Sequence, residues 1–235
     1  MTKAEGLASD GHGLWRWTQP GSQEVVAGLI DADGTLEHLR ASWPVGTTLV
    51  SVEQVHGASI ASAELRGSPE LVIAGCDGLV TSAPHVALTI RTADCLPIAL
   101  WDRTRRVVAL VHAGWRGLFR GLPRRCVWRL REQYGSAAED LHVAIGPAIH
   151  ACCYEVGREF PSVFGAFSRQ RSGRILCDLI GYARCQLREA GLRDERITDS
   201  GICTACAPGR WYSVRRDGQA TGRLMSYILL AEPRG

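Results

Sequence analysis

Lysine is almost missing from this sequence: Lys3 is the only one, and the other basic side chains that stay charged at neutral pH are arginines. The formal net charge at pH 7 is only +3. A nucleic-acid-binding surface favours basic residues that cluster with interleaved aromatics. The visible cluster contains Arg124, Arg125, Arg129 and Arg131. It falls on the solvent side of a predicted helix, so we expect no nucleic-acid partner.

Long apolar runs are lacking as well. None approaches the ~20 residues that a membrane-spanning helix needs, so we expect no membrane insertion. The first twenty residues lack a continuous apolar core, which argues against a secretory signal and favours a cytoplasmic location. No Pro/Ser-rich linker, low-complexity tract or clear repeat interrupts the chain, and 46% of its residues are hydrophobic. We therefore predict a single domain over residues 1–235.

Cysteine, by contrast, is abundant, with nine residues. Their number is odd and the expected compartment is reducing, so we expect free thiols. Cys203-x-x-Cys206 has the spacing of half a zinc ribbon or of a redox pair. A ribbon needs a second such pair at suitable spacing, and the sequence has none, so we expect no metal here. Cys152-Cys153 is interpreted as packing in a pocket wall.

Short apolar and alternating runs predict many strands and few helices. Strands are predicted at 25–30, 48–55, 78–81, 86–91, 97–101, 106–111, 141–146, 211–214 and 223–230. One helix is predicted over 117–134, with an apolar residue every four positions. A second is predicted from an N-cap at Asp178 to Ala190, ended by Gly191. Because strands outnumber helices without alternating with them, we predict an α+β, sheet-rich fold with mixed sheets and a few packed helices.

Potential metal ligands follow three of these strands. His56 follows the strand at 48–55, Cys95 comes shortly after that at 86–91, and His112 follows that at 106–111. Taken singly, such residues are more often buried packing residues. Together they form a His-Cys-His set that zinc accepts, with the fourth tetrahedral position left open.

Several motifs occur in a fixed order along the chain. They are Gln54-Val-His56-Gly57, Thr92-Ala-Asp94-Cys95-Leu-Pro97, His112-Ala-Gly-Trp-Arg-Gly117, Gly146-Pro-Ala-Ile, Cys152-Cys-Tyr-Glu-Val156, Cys203-Thr-Ala-Cys206, Tyr212-Ser-Val-Arg-Arg-Asp217-Gly218 and Thr221-Gly-Arg223. In this series, which runs from about Val50 to Leu230, the chain resembles the laccase-domain, or polyphenol-oxidase-like, family. The resemblance implies a YfiH-like fold and zinc bound by His56, Cys95 and His112. Members of that family are described as purine nucleoside phosphorylases and, in a bacterial branch, as a peptidoglycan editing factor.

The N-terminal segment, about 1–47, departs from the family pattern and looks shortened. Relatives usually carry a Phe-Phe-Thr-Arg segment followed by a Gly-Gly-Val-Ser turn and an Asn-Leu segment. Here His12-Gly-Leu-Trp-Arg16-Trp-Thr-Gln-Pro20 is the candidate for the first, and the other two are missing. Arg16 is thus the candidate for the family's N-terminal active-site arginine, and the altered segment predicts slow turnover.

The resemblance implies phosphorolysis of a purine nucleoside such as adenosine, inosine or methylthioadenosine into base and sugar 1-phosphate, and possible adenosine deamination. Splitting an N-glycosidic bond requires a group that holds phosphate. Arg116, in the turn after His112, can bind phosphate with both arms of its planar guanidinium. Asp94 is the candidate for orienting a histidine or contacting substrate, the alternative being that it braces the loop.

Other functions compete for the same residues. A multicopper oxidase binds copper through numerous histidines, many in His-x-His pairs, whereas none of the seven histidines here forms such a pair. Copper can still occupy soft thiolate and imidazole sites in vitro. A metal-free hydrolase would use Cys95 as a nucleophile activated by His112 or His56. The remaining alternatives are peptidoglycan editing and a degenerate, non-catalytic nucleoside binder.

Overall fold

A computed structural model of the protein describes residues 6–18, 24–64, 68–207 and 209–231. Its strands are β1 (Leu7–Ser9), β2 (Leu14–Trp17), β3 (Val25–Ile30), β4 (Thr48–Val52), β5 (Ile60–Ser62), β6 (Glu70–Ile73), β7 (Gly78–Thr81), β8 (Val86–Thr92), β9 (Leu96–Asp102), β10 (Val107–Ala113), β11 (His142–Ile145), β12 (Glu155–Val156), β13 (Ser168–Arg171), β14 (Arg174–Cys177), β15 (Ile197–Asp199) and β16 (Leu224–Leu230). Its α-helices are α1 (Leu36–Ala41), α2 (Trp115–Phe119), α3 (Leu122–Tyr134), α4 (Phe160–Phe164), α5 (Leu179–Glu189) and α6 (Val214–Asp217).

The strands form two large mixed sheets and a small antiparallel one. The first has the order β1-β2-β3-β16-β8-β4-β6, in which β4 runs parallel to both of its neighbours. The second has the order β15-β11-β9-β10-β7-β5 and is parallel only at its two outer pairs. The small sheet has the order β12-β14-β13. The predicted α+β class with mixed sheets is therefore confirmed.

The layers follow from the alternation of side chains along β10, which is buried on both faces. Val108 and Leu110 pack between the two large sheets, against residues such as Leu88 of β8. Val107 and Ala109 point the other way, into a second core that α3 and α5 cover. The outer face of the first sheet is covered by α1, whose Leu39 is fully buried. Alternate residues of a strand face opposite sides, so this apolar strand serves two cores.

The helix predicted over 117–134 is two helices in the structure. The break falls at Gly121, which has φ +77°, a conformation that costs glycine little. Pro123 then stands in the first turn of α3, where its missing N–H is no loss. The second predicted helix is confirmed, and Oδ1 of Asp178 accepts from the N–H of Gly181 at 2.8 Å.

Most predicted strands are confirmed within a few residues, but the one at 211–214 is wrong. That segment leads into α6, because the hydroxyl of Ser213 caps the helix by accepting from the N–H of Arg216. The strand predicted at 48–55 ends earlier, at Val52, since Gln54 and His56 have positive φ values of 63° and 57°. Among the described residues, no helix is long and apolar enough to cross a membrane.

Candidate active site

The three residues of the predicted His-Cys-His set meet at the edge where the two large sheets join. His56 lies in the loop after β4, and Cys95 lies in the connection by which the chain passes from β8 to β9. His112 lies within β10, not after it as the sequence suggested, because the strand continues to Ala113. The ligand atoms of the three side chains all lie within 4.8 Å of one another. The two imidazole rings meet edge to face, with centroids 4.9 Å apart.

A buried carboxylate that the sequence analysis did not single out organises this set. Asp77 lies directly before β7, and Oδ1 of its carboxylate lies 2.9 Å from Nδ1 of His112. The same carboxylate accepts from the backbone N–H groups of His56 at 2.9 Å and Gly57 at 2.6 Å. Because a carboxylate oxygen accepts, Nδ1 of His112 donates the hydrogen bond to Asp77, and Nε2 is the ring nitrogen that a metal ion would bind in place of a proton.

The pKa values of the set favour its charged forms. Burial raises the pKa of Cys95, but hydrogen bonds from His112 and His56 outweigh it and lower the pKa to about 7. Burial lowers the pKa of His112, but Asp77 and Cys95 outweigh it and raise the pKa to about 9. Burial also raises the pKa of Asp77, yet its hydrogen bonds from His112 and Gly57 bring it below its usual value. Thiolate chemistry is therefore accessible near neutral pH.

Two glycines allow the backbone after β10 to approach the set. A Cβ built on Gly114 would lie 3.0 Å from Sγ of Cys95 and 3.2 Å from Cδ2 of His56. A Cβ on Gly117 would lie 2.9 Å from the carbonyl oxygen of Gly57. The contact at Gly117 is shorter than side chains tolerate, and those at Gly114 would force Cys95 or His56 to shift by a few tenths of an ångström, so close approach favours glycine at both positions.

The set lies in the wall of an open cavity of about 1000 Å³. Among the described residues, those that line it are Gln54, His56, Arg91, Thr92, Ala93, Asp94, Cys95, His112, Trp115, Arg116, Ile149, Tyr154, Val214, Arg215, Gln219, Thr221, Gly222 and Arg223. Four of these are arginines and one is an acid, so the cavity carries excess positive charge and suits an anionic ligand.

Arg116 and Asp94, both predicted to contact substrate, line this cavity. The guanidinium of Arg116 is exposed and stacks on Trp115, 4.3 Å from the ring centroid. The carboxylate of Asp94 is already engaged: it accepts from the hydroxyl of Thr204 at 2.6 Å and from the N–H of Arg215 at 2.7 Å. Asp94 thus braces the loops of the cavity, and Asp77 is the residue that orients a histidine.

Arg16, also predicted to contact substrate, is placed elsewhere. It lies on β2, paired with Ala8 and Gly28, and is exposed. It is not among the described residues that line the cavity. The atypical segment that contains it is described only in part, since residues 1–5 and 19–23 lie outside the described residues.

Other lining residues were not singled out from the sequence, although its motifs contain Tyr154 and Arg215 and one of them begins directly after Arg91. Arg91 is held by Gln54, whose side-chain amide bonds the backbone N–H and carbonyl of Arg91 at 2.8 and 2.6 Å. The guanidinium of Arg215 lies over the ring of Tyr154, 5.1 Å from its centroid. Burial and the nearby Cys95 raise the pKa of the Tyr154 phenol. The signal in the sequence was that these residues lie in or beside the ordered motifs. For Asp77 the only signal was its position before a buried strand.

The donor set fits zinc. A soft thiolate and two imidazoles, one of them oriented by a buried carboxylate, are typical of zinc sites that keep a fourth position open. The separations within 4.8 Å allow all three donors to reach one ion. The structure therefore defines a candidate metal centre of the His-Cys-His class in an arginine-lined cavity.

Residues 34–231 match the family described as multi-copper polyphenol oxidoreductase laccase, and the chain belongs to this family. It is similar to the purine nucleoside phosphorylase YlmD of Bacillus subtilis, with 35% identity over 164 residues. That alignment covers 66% of this chain and 59% of the relative. The chain thus spans less than two thirds of the relative's length.

Solved structures confirm the fold. The crystal structure of YlmD from Geobacillus stearothermophilus has a TM-score of 0.89 at 30% identity, covering 97% of this chain and 99% of that one. The Bacillus licheniformis hypothetical protein YfiH has a TM-score of 0.84 at 24% identity, covering 96% and 99%. The predicted YfiH-like fold is confirmed.

Proposed function

We propose that the chain is a zinc-dependent purine nucleoside phosphorylase, which converts a purine nucleoside and phosphate into the free base and a sugar 1-phosphate. The observation that carries the proposal is the juxtaposition of the His-Cys-His set with four arginines in one cavity. Adenosine, inosine and methylthioadenosine are the candidate substrates. The name of the Bacillus subtilis relative supports the same reaction.

Phosphorolysis places opposite charges close together. As the glycosidic bond breaks, positive charge develops on the sugar and negative charge on the leaving base, while the attacking phosphate is an anion. Zinc bound by His56, Cys95 and His112 would supply Lewis acidity and positive charge in the cavity wall. Preorganised positive charge and hydrogen-bond donors are the usual means of stabilising such a transition state.

The chain's own residues supply the binding and proton transfer. Arg116 offers two parallel N–H donors to the phosphate, with its plane held against Trp115. The phenol of Tyr154 is protonated at neutral pH, and burial raises its pKa further, so it is a neutral hydrogen-bond donor for the leaving base. Asp94 acts indirectly, by tying the loop of Thr204 to the start of α6, where Arg215 lines the cavity.

A metal-free hydrolase is the second candidate, and one observation favours it. Cys95, His112 and Asp77 follow one another as thiol, imidazole and carboxylate, with the pKa of Cys95 lowered to about 7. The same order of nucleophile, base and orienting acid serves cysteine hydrolases. In this reading Cys95 attacks the substrate itself and phosphate has no part in the reaction.

Both candidates are tested with protein of measured metal content and the three nucleosides, following base release at several phosphate concentrations. If the protein is a phosphorylase, base release should saturate as the phosphate concentration rises. It should stop when a chelator removes the zinc and return when zinc is restored. Base release whose rate does not depend on phosphate and that continues after chelation would support the hydrolase. Zinc at full occupancy with no release from any of the three would leave a nucleoside binder as the better description. Ammonia measured in the adenosine reaction tests the implied deamination.

A further inference from the structure

A second group of sulfur ligands lies outside the cavity lining. The Sγ atoms of Cys152, Cys153, Cys203 and Cys206 all lie within 4.8 Å of one another. Sγ of Cys206 lies 3.2 Å from that of Cys152 and 3.1 Å from that of Cys153. The sequence predicts no metal at the Cys203/Cys206 pair, because it contains no second Cys-x-x-Cys. The fold supplies the missing half from two adjacent cysteines instead.

We propose that these four cysteines form a second, structural zinc site with tetrahedral thiolate coordination. The site is separate from the His-Cys-His set and does not depend on the proposed phosphorylase activity. Four sulfur donors at tetrahedral separation are typical of zinc sites in which the protein supplies every ligand. A regular site with Zn–S bonds of about 2.3 Å has sulfurs about 3.8 Å apart. The observed separations, from 3.1 Å to within 4.8 Å, bracket that value.

The backbone already holds the two halves of the site together. Ala148 and Cys203 form a parallel β-bridge, in which the N–H of Thr204 donates to the carbonyl of Ala148 at 3.0 Å. The N–H of His150 points at Sγ of Cys203, with a donor–acceptor distance of 3.4 Å. N–H donors to sulfur stabilise a thiolate, so this contact suits a metal ligand. Two loops docked in this way hold their sulfurs close enough together that shifts of the side chains alone would complete the site.

A disulfide is the main competing use of the same sulfurs. Cys152 and Cys206 are exposed, so an oxidant can reach them. A disulfide would join only two of the four, however, and requires an S–S length of about 2.05 Å. It would leave one of the two contacts of Cys206 unexplained, whereas a tetrahedral ion uses all four donors.

The site would connect two loops that reach the cavity. Tyr154, which lines it, directly follows Cys153, and Thr204, which directly follows Cys203, holds Asp94 through its hydroxyl. Zinc here would stabilise this wall of the cavity without contacting substrate. Its role is that of a closed structural site, which contributes folding free energy.

Metal analysis of purified protein under reducing conditions tests the proposal. We expect two zinc ions per chain in the wild type, and one each in Cys95→Ser and Cys206→Ser. The combined variant should contain none, and the matched control Cys185→Ser, at a thiol outside both sets, should keep two. One zinc per chain in the wild type, lost entirely on Cys95→Ser, would overturn the second site.

A direct measurement of coordination guards against misfolding of the Cys206 variant. Cys95→Ser leaves all four proposed ligands intact, so X-ray absorption at the zinc edge should report four sulfur neighbours at about 2.3 Å. Nitrogen or oxygen neighbours in place of sulfur, or iron in place of zinc, would contradict the assignment. So would a disulfide between Cys206 and Cys152 or Cys153 in peptide maps of protein that is purified without oxygen or added reductant and alkylated at once.

Discussion

Oδ1 of Asp77 lies 2.9 Å from Nδ1 of His112, and only 4% of the histidine side chain and none of the aspartate side chain is exposed to solvent. This contact fixes which nitrogen of His112 faces Cys95. Because the same carboxylate also holds the backbone N–H groups of His56 and Gly57, it positions two of the three proposed metal ligands.

Asp77→Asn should weaken zinc binding at the His-Cys-His set by about 10–100-fold, the usual cost of removing such an orienting group. The amide removes the charge and puts an N–H₂ group where a carboxylate oxygen accepted a hydrogen bond. Competition with a chromophoric chelator measures the affinity. Asp102→Asn is the matched control, since Asp102 is also buried but lies at the end of β9, where its carboxylate accepts from the backbone N–H of Arg105. Equal zinc affinity in the Asp77 variant and wild type would remove Asp77 from the site.

Gly114→Ala should also reduce zinc content, for a steric reason. The added methyl group would press on Sγ of Cys95 and on the His56 ring at 3.0 and 3.2 Å, although the backbone at Gly114 has an ordinary φ of −75°. Gly46→Ala is the control, because its φ of +80° strains the backbone while nothing lies within 4 Å of the new Cβ. We expect both variants to lose stability and only Gly114→Ala to lose zinc. Full zinc content in Gly114→Ala would show that the ligands have room to move.

The sequence predicted those residues of the site that follow an apolar run or stand out in a motif, and it did not predict the others. The His-Cys-His set was predictable because each ligand follows an apolar run, and the ordered motifs carried the family resemblance. Asp77 left no such signal, since one acid before a buried strand is common and its partner His112 is 35 positions away. The loop of Cys152 and Cys153 meets Cys206 only through the tertiary fold.

The fold shows the same division. β10 was predicted because its continuous apolar run has few alternatives. β13, with sequence Ser-Arg-Gln-Arg and three exposed residues, was missed because it has no apolar periodicity. The break at Gly121 was missed because the apolar stripe continues across it: Leu118 and Leu122 are both fully buried. Backbone handedness at one residue is not visible in a side-chain pattern.

The reactivity of Cys95 should depend on pH in metal-free protein. Its lowered pKa means that alkylation by iodoacetamide rises with pH and reaches half its plateau near pH 7, against about 9 for an ordinary thiol. The raised pKa of His112 keeps the imidazole charged up to about pH 9, so thiolate and imidazolium coexist between the two values. Peptide mass mapping separates Cys95 from the buried Cys126, whose pKa is raised to about 12 and which should stay unmodified.

The same shifts predict how stability depends on pH without metal. The stabilisation due to His112 is full below its usual pKa of 6.5 and is lost as the pH rises through about 9. The stabilisation due to Cys95 is full above its usual pKa of 9 and is lost as the pH falls through about 7.

Zinc bound to Cys95 should protect the thiol from alkylation at every pH between these two values. A half-maximal alkylation near pH 9 would contradict the contact between Cys95 and the two histidines.

Arg116→Lys should raise the KM for phosphate while the zinc content of the protein changes little. Lysine keeps the charge but loses the planar pair of donors, which costs about 1.5–3 kcal/mol for a charge-assisted hydrogen bond. Arg16→Lys is the informative comparison, because Arg16 lies outside the described lining of the cavity. We expect its KM for phosphate to match that of the wild type. A larger effect at Arg16 than at Arg116 would support the role that the family resemblance assigns to Arg16.

We propose above all that zinc held by His56, Cys95 and His112 drives cleavage of a purine nucleoside by phosphate. Phosphorus NMR of zinc-loaded protein with inosine and phosphate tests it most directly, alongside a base assay and the same experiment with Cys95→Ser. We predict one sugar 1-phosphate for each base released by the wild type, and neither product from the variant. The account would be contradicted if the wild type released base without forming sugar 1-phosphate, or if Cys95→Ser formed as much sugar 1-phosphate as the wild type.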